Sequence, residues 1–368
     1  MAAKEVIAVA HVIVLTGGPC GGKTAALPRL KAALEAEGLV VFVGEEIATL
    51  LMNEGLDPAR DKNAFQRQVL TRTLAREASL TEAAAPYGER AVVLLDRGLA
   101  DPAAYTPAAV YEAHLAEAGL TRVSARDRYE GVFHLRTAAA GTGYTLATNA
   151  IRTETPEEAL ALDGATLDAW VGHPHLRVIP SGDTFEAKMA RLIAEVKGLL
   201  GIPAPREIER RFLIRMPESG LLASLPHART VDIEQTYLRM PDGSFSRLRS
   251  RGEGEDRIYI ETVKRRLTAA TRVETERRLT RAEYEEQLAF ADPDRRPIVK
   301  QRTCLVWQDQ VFELDRFPFW QKQAVLEIEL LAEDAPVALP PFVEVLREIT
   351  GDETYSNSAL ARAVPAED

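Results

Sequence analysis

The chain holds three sets of residues whose types and spacing suit phosphate chemistry. The first is Gly17-Gly18-Pro19-Cys20-Gly21-Gly22-Lys23-Thr24, which fits G-x-x-x-x-G-K-[ST]. Glycines here let backbone N–H groups curl around a phosphate chain, and a helix starting at the loop's end adds the positive end of its dipole. Lys23 would reach terminal phosphates, and the Thr24 hydroxyl would hold Mg²⁺. All eight residues are candidate nucleotide-binding positions.

The second set is scattered. Asp96 ends an apolar run and is followed by Arg97 and Gly98; its carboxylate could meet the metal directly or through water. Glu46 stands where a base for an accepting hydroxyl is expected, although Glu45 is as close in sequence. Arg152 lies in a Thr-rich segment that reads either as a lid bringing positive charge to transferring phosphate or as a solvated loop. Phe65 and Gln66 open a helix that could face a nucleobase or could be plain helix surface.

The third set is a series of like-charged pairs at i and i+2, which a strand places on one face. Glu207 and Glu209 precede Arg211; Arg247 and Arg249 are in phase with Arg251; Lys264 follows an apolar alternation. Glu274 and Glu276, Lys300 and Arg302, Glu313 and Asp315, and Glu327 and Glu329 complete the series. Intervening residues such as Ile208, Phe212 and Ile214, or Leu326, Ile328 and Leu330, supply a core for the opposite face. Lining a barrel with such charges is costly unless water, metal and a polyanion fill it. Glu207, Glu209, Glu327 and Glu329 are candidate ligands for Mg²⁺ or Mn²⁺. Arg211, Arg247, Arg249, Lys264, Lys300 and Arg302 are candidate phosphate grips.

Elements to position these residues are visible in the pattern. Strands are expected at Val12–Leu15, Leu39–Val43, Ala91–Leu95, Tyr129–Leu135 and Leu176–Ile179. Helices are expected at Ala25–Glu37, Ile47–Asn53, Asp61–Ala84 and Glu186–Leu200. Alternation of the two implies a parallel doubly wound sheet, with ligands at the carboxyl ends of its strands. Residues 1–200 form this first domain, 201–205 a stiff Pro-containing linker, and 206–368 a second domain of period-two strands.

Composition narrows the classes. A length of 368 residues favours two domains, and a net charge of −10 argues against general affinity for nucleic acid. Two cysteines imply no disulfide framework and suit a cytoplasmic location. Neither a signal peptide nor a membrane span is expected.

The loop, Glu46, Asp96-Arg97-Gly98, Tyr129-Glu130-Gly131-Val132 and Trp170-Val171-Gly172-His173-Pro174 together resemble the AAA_28 group of P-loop proteins. That resemblance implies a nucleoside- or nucleotide-kinase-like domain, with catalytic roles for Glu46, Asp96, Arg97 and Arg152 beside Lys23. The second half resembles the CYTH, or triphosphate tunnel metalloenzyme, fold, which implies an eight-stranded antiparallel tunnel barrel. Its signature E-x-E-x-K stands here as Glu207-Ile208-Glu209-Arg210-Arg211, with arginine for the activating lysine. Ile233–Leu238, Thr262-Val263-Lys264 and Tyr355-Ser356-Asn357 also match. The order of the two modules resembles TRPL-translocation-defect-type proteins and their bacterial relatives.

Three functions follow as expectations. The leading one is a phosphotransferase using ATP or GTP with Mg²⁺ or Mn²⁺, with a tunnel that binds a triphosphate or another phosphorylated ligand. The others are a metal-dependent triphosphatase acting in the tunnel and a nucleotide-binding switch without turnover.

Overall fold

The computed structural model describes residues 10–138, 155–182, 184–204, 208–239, 245–266 and 272–367, and the chain divides into two compact units, Met1–Arg206 and Glu207–Asp368. In the first unit β1 (His11–Thr16) leads through the glycine loop into α1 (Lys23–Glu35). There follow β2 (Val40–Gly44), α2 (Ile47–Asn53), α3 (Lys62–Ala84), β3 (Ala91–Asp96), α4 (Ala108–Glu117), α5 (Arg122–Arg126), β4 (Gly131–Leu135), α6 (Pro156–Trp170), β5 (Leu176–Ile179) and α7 (Phe185–Leu199). The five strands are parallel in the order β2-β3-β1-β4-β5.

The continuous apolar runs are there because both faces of this sheet are covered. Ile13, Leu15, Val92, Leu94, Phe133 and Leu135 pack against Leu27, Leu30 and Leu34 of α1 and Met189, Leu192 and Val196 of α7. On the other face, Leu80 of α3 and Leu95 of β3 lie against Gly44, and Trp170 of α6 lies against Gly98 and Val14. Helix starts follow side-chain capping. Asp61 accepts from the Ala64 N–H at 2.9 Å, and Thr155 with Glu158 forms a capping box ahead of α6.

Three details differ from the sequence pattern. Helix α1 begins at Lys23, so Pro28 falls in its second turn and the Thr24 carbonyl lacks its usual i+4 donor. Phe65 is buried against Ile47, Leu51 and Val69, and Gln66 is buried too, so neither lies on the helix surface. The fourth strand starts at Gly131, two residues late, because Tyr129 is drawn into a side-chain network.

The second unit contains β6 (Ile208–Arg215), α8 (Ser219–Ser224), β7 (Ala228–Arg239), β8 (Phe245–Glu253), β9 (Asp256–Arg266), β10 (Arg272–Leu279), α9 (Arg281–Gln287), β11 (Ile298–Trp307), β12 (Gln310–Arg316), β13 (Gln323–Leu330), β14 (Val345–Glu348) and α10 (Asn357–Leu360). All its pairings are antiparallel, in the order β10-β9-β8-β7-β11-β12-β13-β6-β14. Eight strands are long, as expected; four-residue β14 adds a ninth beside β6. One face is apolar. Phe212, Ile214, Phe312, Leu314, Leu326 and Ile328 pack with Leu222 of α8, and Leu238, Leu248 and Leu279 with Tyr284 of α9. No helix among the described residues is long and apolar enough to cross a membrane.

The buried Tyr129 hydroxyl ties three elements. It accepts from the Leu99 N–H at 2.9 Å and donates to Glu77 Oε2 at 2.9 Å, while Arg128 Nε meets the other Glu77 oxygen at 2.7 Å. Tyr129→Phe leaves a buried N–H without its acceptor, so chemical denaturation should show a loss of about 1–3 kcal/mol.

Candidate phosphate-binding sites

The glycine loop sits at the carboxyl end of β1, and its shape demands glycine. Gly17 (φ 135°) lies so close to the Leu135 carbonyl that a Cβ would fall 2.2 Å from that oxygen, and at Gly21 the gap would be 2.6 Å. The loop is held from several sides. Asp163 of α6 accepts from the Gly18 N–H at 2.9 Å, Thr137 Oγ1 donates to the Pro19 carbonyl at 2.5 Å, and Lys188 Nζ donates to the Gly21 carbonyl at 2.8 Å. His134 Nε2 and Arg136 also meet Asp163, at 3.2 and 2.8 Å. Burial alone would push the Asp163 carboxyl up, but these partners hold it below its ordinary range. Asp163, His134 and Thr137 carry no signal in the sequence, since Gly18 and Asp163 are 145 positions apart.

Lys23 is buried and donates to the Gly17 and Gly18 carbonyls at 3.0 and 3.3 Å. Burial and the Arg97 charge lower its proton affinity, against opposing pulls from Asp96, Glu46 and Asp101. Thr24 is exposed, and Cys20 takes a positive φ of 58° inside the loop.

Asp96, Arg97 and Glu46 come together beside Lys23. Arg97 has φ 70°, a left-handed conformation unfavourable for a side chain of this size. Its guanidinium is fixed by Glu46 Oε1 at 2.7 Å and Asp101 Oδ1 at 3.0 Å. Asp101 in turn accepts from Thr16 Oγ1 at 2.6 Å, the Gly98 N–H at 2.8 Å and Trp170 Nε1 at 3.2 Å. Glu46 is half-buried and bonded to Thr49, whereas Glu45 is exposed. Burial works to raise the Glu46 carboxyl, yet Arg97 and Lys23 hold it down to about 2, so in this state it is a poor proton acceptor. Asp96 has the opposite character. Burial pushes it up to about 6, Glu46 and Asp101 adding to the rise against Lys23 and Arg97, and its Oδ1 has no hydrogen-bond partner. Such an orphaned buried oxygen beside Lys23 fits a hard divalent cation. Arg152 lies outside the described residues.

In the second unit the register carries the charged pairs to a common inner face. Arg211 stands opposite Glu327, Glu209 opposite Glu329, Glu313 opposite Glu327, and Arg302 opposite Asp315. Farther along the sheet Gln235 faces Arg249, and Tyr237 faces Arg247. On this face acids therefore occupy β12 and β13, bases occupy β8 and β11, and β6 carries Glu209 beside Arg211. Arg302 donates to Asp315 at 2.7 and 2.6 Å, to Glu327 at 2.9 Å and to Glu313. Lys300 is buried against Asp315, and burial outweighs that partner to lower its proton affinity. Against its own burial, Arg302 and Lys300 hold Asp315 far below the ordinary carboxylate range. Arg211 bonds Glu327 Oε1 at 2.8 Å and the Tyr355 carbonyl at 2.9 Å and lies 3.8 Å from Glu209.

Arg249 is different. Among the described residues its Nε has no partner, and the side chain reaches Gln235 Oε1 at a long 3.4 Å. Burial, then the Arg247 charge, and further Arg302 and Arg251, push its guanidinium down to about 10, with Glu276 opposing. Glu209 against Glu329 and Glu313 against Glu327 place like charges directly across strands, a destabilising arrangement that a divalent cation would offset. Glu207 lies outside the described residues, as does the Lys264 side chain, although its backbone is in β9.

The two unusual carboxyls in the first unit have opposite linkage signs. Asp96 is raised from 3.8 to about 6, so its contribution to stability is complete below pH 3.8 and is lost as pH rises through about 6. Glu46 is lowered from 4.5 to about 2, so its contribution is present above pH 4.5 and lost on acidification toward 2. In metal-free buffer, Asp96→Asn should raise the melting temperature at pH 7.5 and flatten its dependence between pH 4 and 6.5. An unchanged melting profile in calorimetry contradicts the assignment.

Comparison with known proteins agrees with this division. The model of the AAA domain family AAA_28 matches residues 12–187, and that of the CYTH domain matches residues 205–354. An inorganic triphosphatase of Nitrosomonas europaea is 33% identical over 168 residues, which are 43% of this chain and 99% of that protein. The crystal structure of an inorganic triphosphatase is 30% identical and covers 44% of this chain and 97% of its own, with a TM-score of 0.33. A protein from Pyrococcus horikoshii OT3 is 17% identical, covering 35% and 81% with a TM-score of 0.25. With a nearly full-length relative at this identity and an AAA_28 domain ahead of its charged antiparallel sheet, the chain belongs to the CYTH family.

Proposed function

We propose that this protein is a metal-dependent triphosphatase in its CYTH domain and binds a nucleoside triphosphate at the glycine loop of its first domain. The observation that carries the reading is Arg249: a half-buried guanidinium with an inaccessible Nε, repelled by Arg247, Arg251 and Arg302 and without a carboxylate bonded to it among the described side chains. An anion with several charged oxygens would relieve that repulsion and satisfy the Nε–H. A linear triphosphate on the inner face fits the breadth of the basic array, and the similarity to an inorganic triphosphatase supports the same ligand.

Glu209, Glu327 and Glu329, with Glu207, would hold Mg²⁺ or Mn²⁺, which supplies Lewis-acid polarisation of a terminal phosphoryl group. Arg247, Arg249 and Arg251 would bind and orient the phosphate chain. Arg302, now latched by Asp315, Glu313 and Glu327, would turn part of its fork to phosphate. Arg211, bonded to Glu327, would orient that carboxylate and grip phosphate.

In the first domain the buried, unpartnered Asp96 Oδ1 beside Lys23 favours a Mg²⁺-nucleotide, and the Glu46–Arg97 pair offers an acceptor site, so phosphoryl transfer is the second reading there. Phosphate release from inorganic triphosphate tests the main one. Glu207→Gln with Glu209→Gln should lower it by about 100-fold or more, whereas Lys23→Ala should leave it within about twofold. Release that survives the double substitution and fails in Lys23→Ala would move the activity to the glycine loop.

A further inference from the structure

We infer that Phe185, at the start of α7, is a shelf on which the base of the bound nucleotide stacks, and that the loop site therefore takes purine nucleotides without selecting ATP over GTP; the inference rests on the nucleotide reading of Gly17–Thr24. The direction of the bound chain follows from the sheet order. Lys23 is electrostatically tied to Asp96, Arg97 and Glu46, which belong to β3 and the loops after β2 and β3. Terminal phosphates drawn to Lys23 therefore lie on that side of β1. The sugar and base must leave on the other side, over β4 and β5 and toward α7.

Among the described residues Phe185 is an exposed aromatic on this side. Its Cε2 would lie 3.0 Å from a Cβ placed on Gly22, the glycine directly before Lys23, so the ring touches the loop itself. It is 39% exposed, although large apolar side chains elsewhere in this domain are mostly buried. The ring is also held in place. Thr184 caps α7, and Lys188, one turn on, donates to the Gly21 carbonyl at 2.8 Å and to the Arg136 carbonyl at 2.6 Å. Arg29 of α1 lies over the ring with its Cζ 5.1 Å from the centroid and is fixed by Glu186 at 2.7 Å. A rigid aromatic beside a guanidinium, open to solvent at the edge of a phosphate loop, suits a flat heteroaromatic ring. Every base has such a face, so stacking binds without reading hydrogen-bonding edges.

The test is calorimetric titration of the full-length protein with Mg²⁺-ATP, Mg²⁺-GTP and inorganic triphosphate, the loop site being the component that Lys23→Ala removes. Phe185→Ala should weaken that component about tenfold or more for both nucleotides and leave it unchanged for inorganic triphosphate, which has no base. Phe185→Trp should retain nucleotide binding and change its fluorescence when nucleotide is added. Unchanged nucleotide affinity in Phe185→Ala overturns the inference. So does an equal loss for inorganic triphosphate, which would mark damage to the loop, or a loss confined to one nucleotide. If Lys23→Ala leaves nucleotide binding intact, the reading of the loop falls first and the shelf falls with it.

Discussion

Arginine repulsion on the inner face of the CYTH domain is the constraint from which the rest of that domain follows. Arg249 is half-buried with its Nε shut off from solvent, is crowded by Arg247, Arg251 and Arg302, and is weakly bonded to an amide oxygen. Such a site costs stability in the free protein, and it persists because the sheet around it is over-determined by two apolar clusters on its other face. The neighbouring bases are handled differently. Arg302 and Lys300 share Asp315, and Arg211 and Arg302 take opposite oxygens of Glu327. Acids and bases in this domain thus partner one another, and among the described side chains no carboxylate is bonded to Arg249.

Glu327 is the joint between the two kinds of binding. With one oxygen on Arg211 and the other on Arg302, it can turn to a metal only by loosening an arginine. An arginine so loosened is available to phosphate. In the proposed reading, metal and anion would be coupled through this carboxylate. The first domain solves a related problem by anchoring. Its glycine loop is pinned by Asp163, Thr137 and Lys188, and its Arg97 is forced into a left-handed conformation by Leu15, Glu46 and Asp101. Donors aimed at phosphate are in place before the nucleotide arrives.

What could be read from the sequence was local or periodic. Gly17 to Thr24 is legible because its chemistry is a backbone shape written in eight consecutive residues. The charged pairs are legible because a strand alternates its side chains, so Arg247, Arg249 and Arg251 had to share a face. Register was not legible, and it is register that sets Glu209 against Glu329 and Arg211 against Glu327. Asp163 holds the loop from 145 positions away, and Asp101, four residues from Arg97, is tied to the site by Thr16 and Trp170, which are distant in sequence. Phe65 misled because a helix start looks the same whether it borders a ligand or packs on Leu51 and Val69. The β14 strand was missed since four residues with a register shift leave no alternation to see.

In the proposed reading the Arg249 guanidinium, with no carboxylate bonded to it among the described side chains, would be satisfied by a polyphosphate. The most direct measurement is the affinity of full-length Arg249→Ala for inorganic triphosphate in metal-free buffer, where nothing turns over, read beside its melting temperature without ligand. The account expects affinity to fall about tenfold or more while the melting temperature holds or rises, because the substitution removes both a phosphate contact and a repulsion. Wild-type affinity in that variant, or a lower melting temperature with affinity intact, would contradict it.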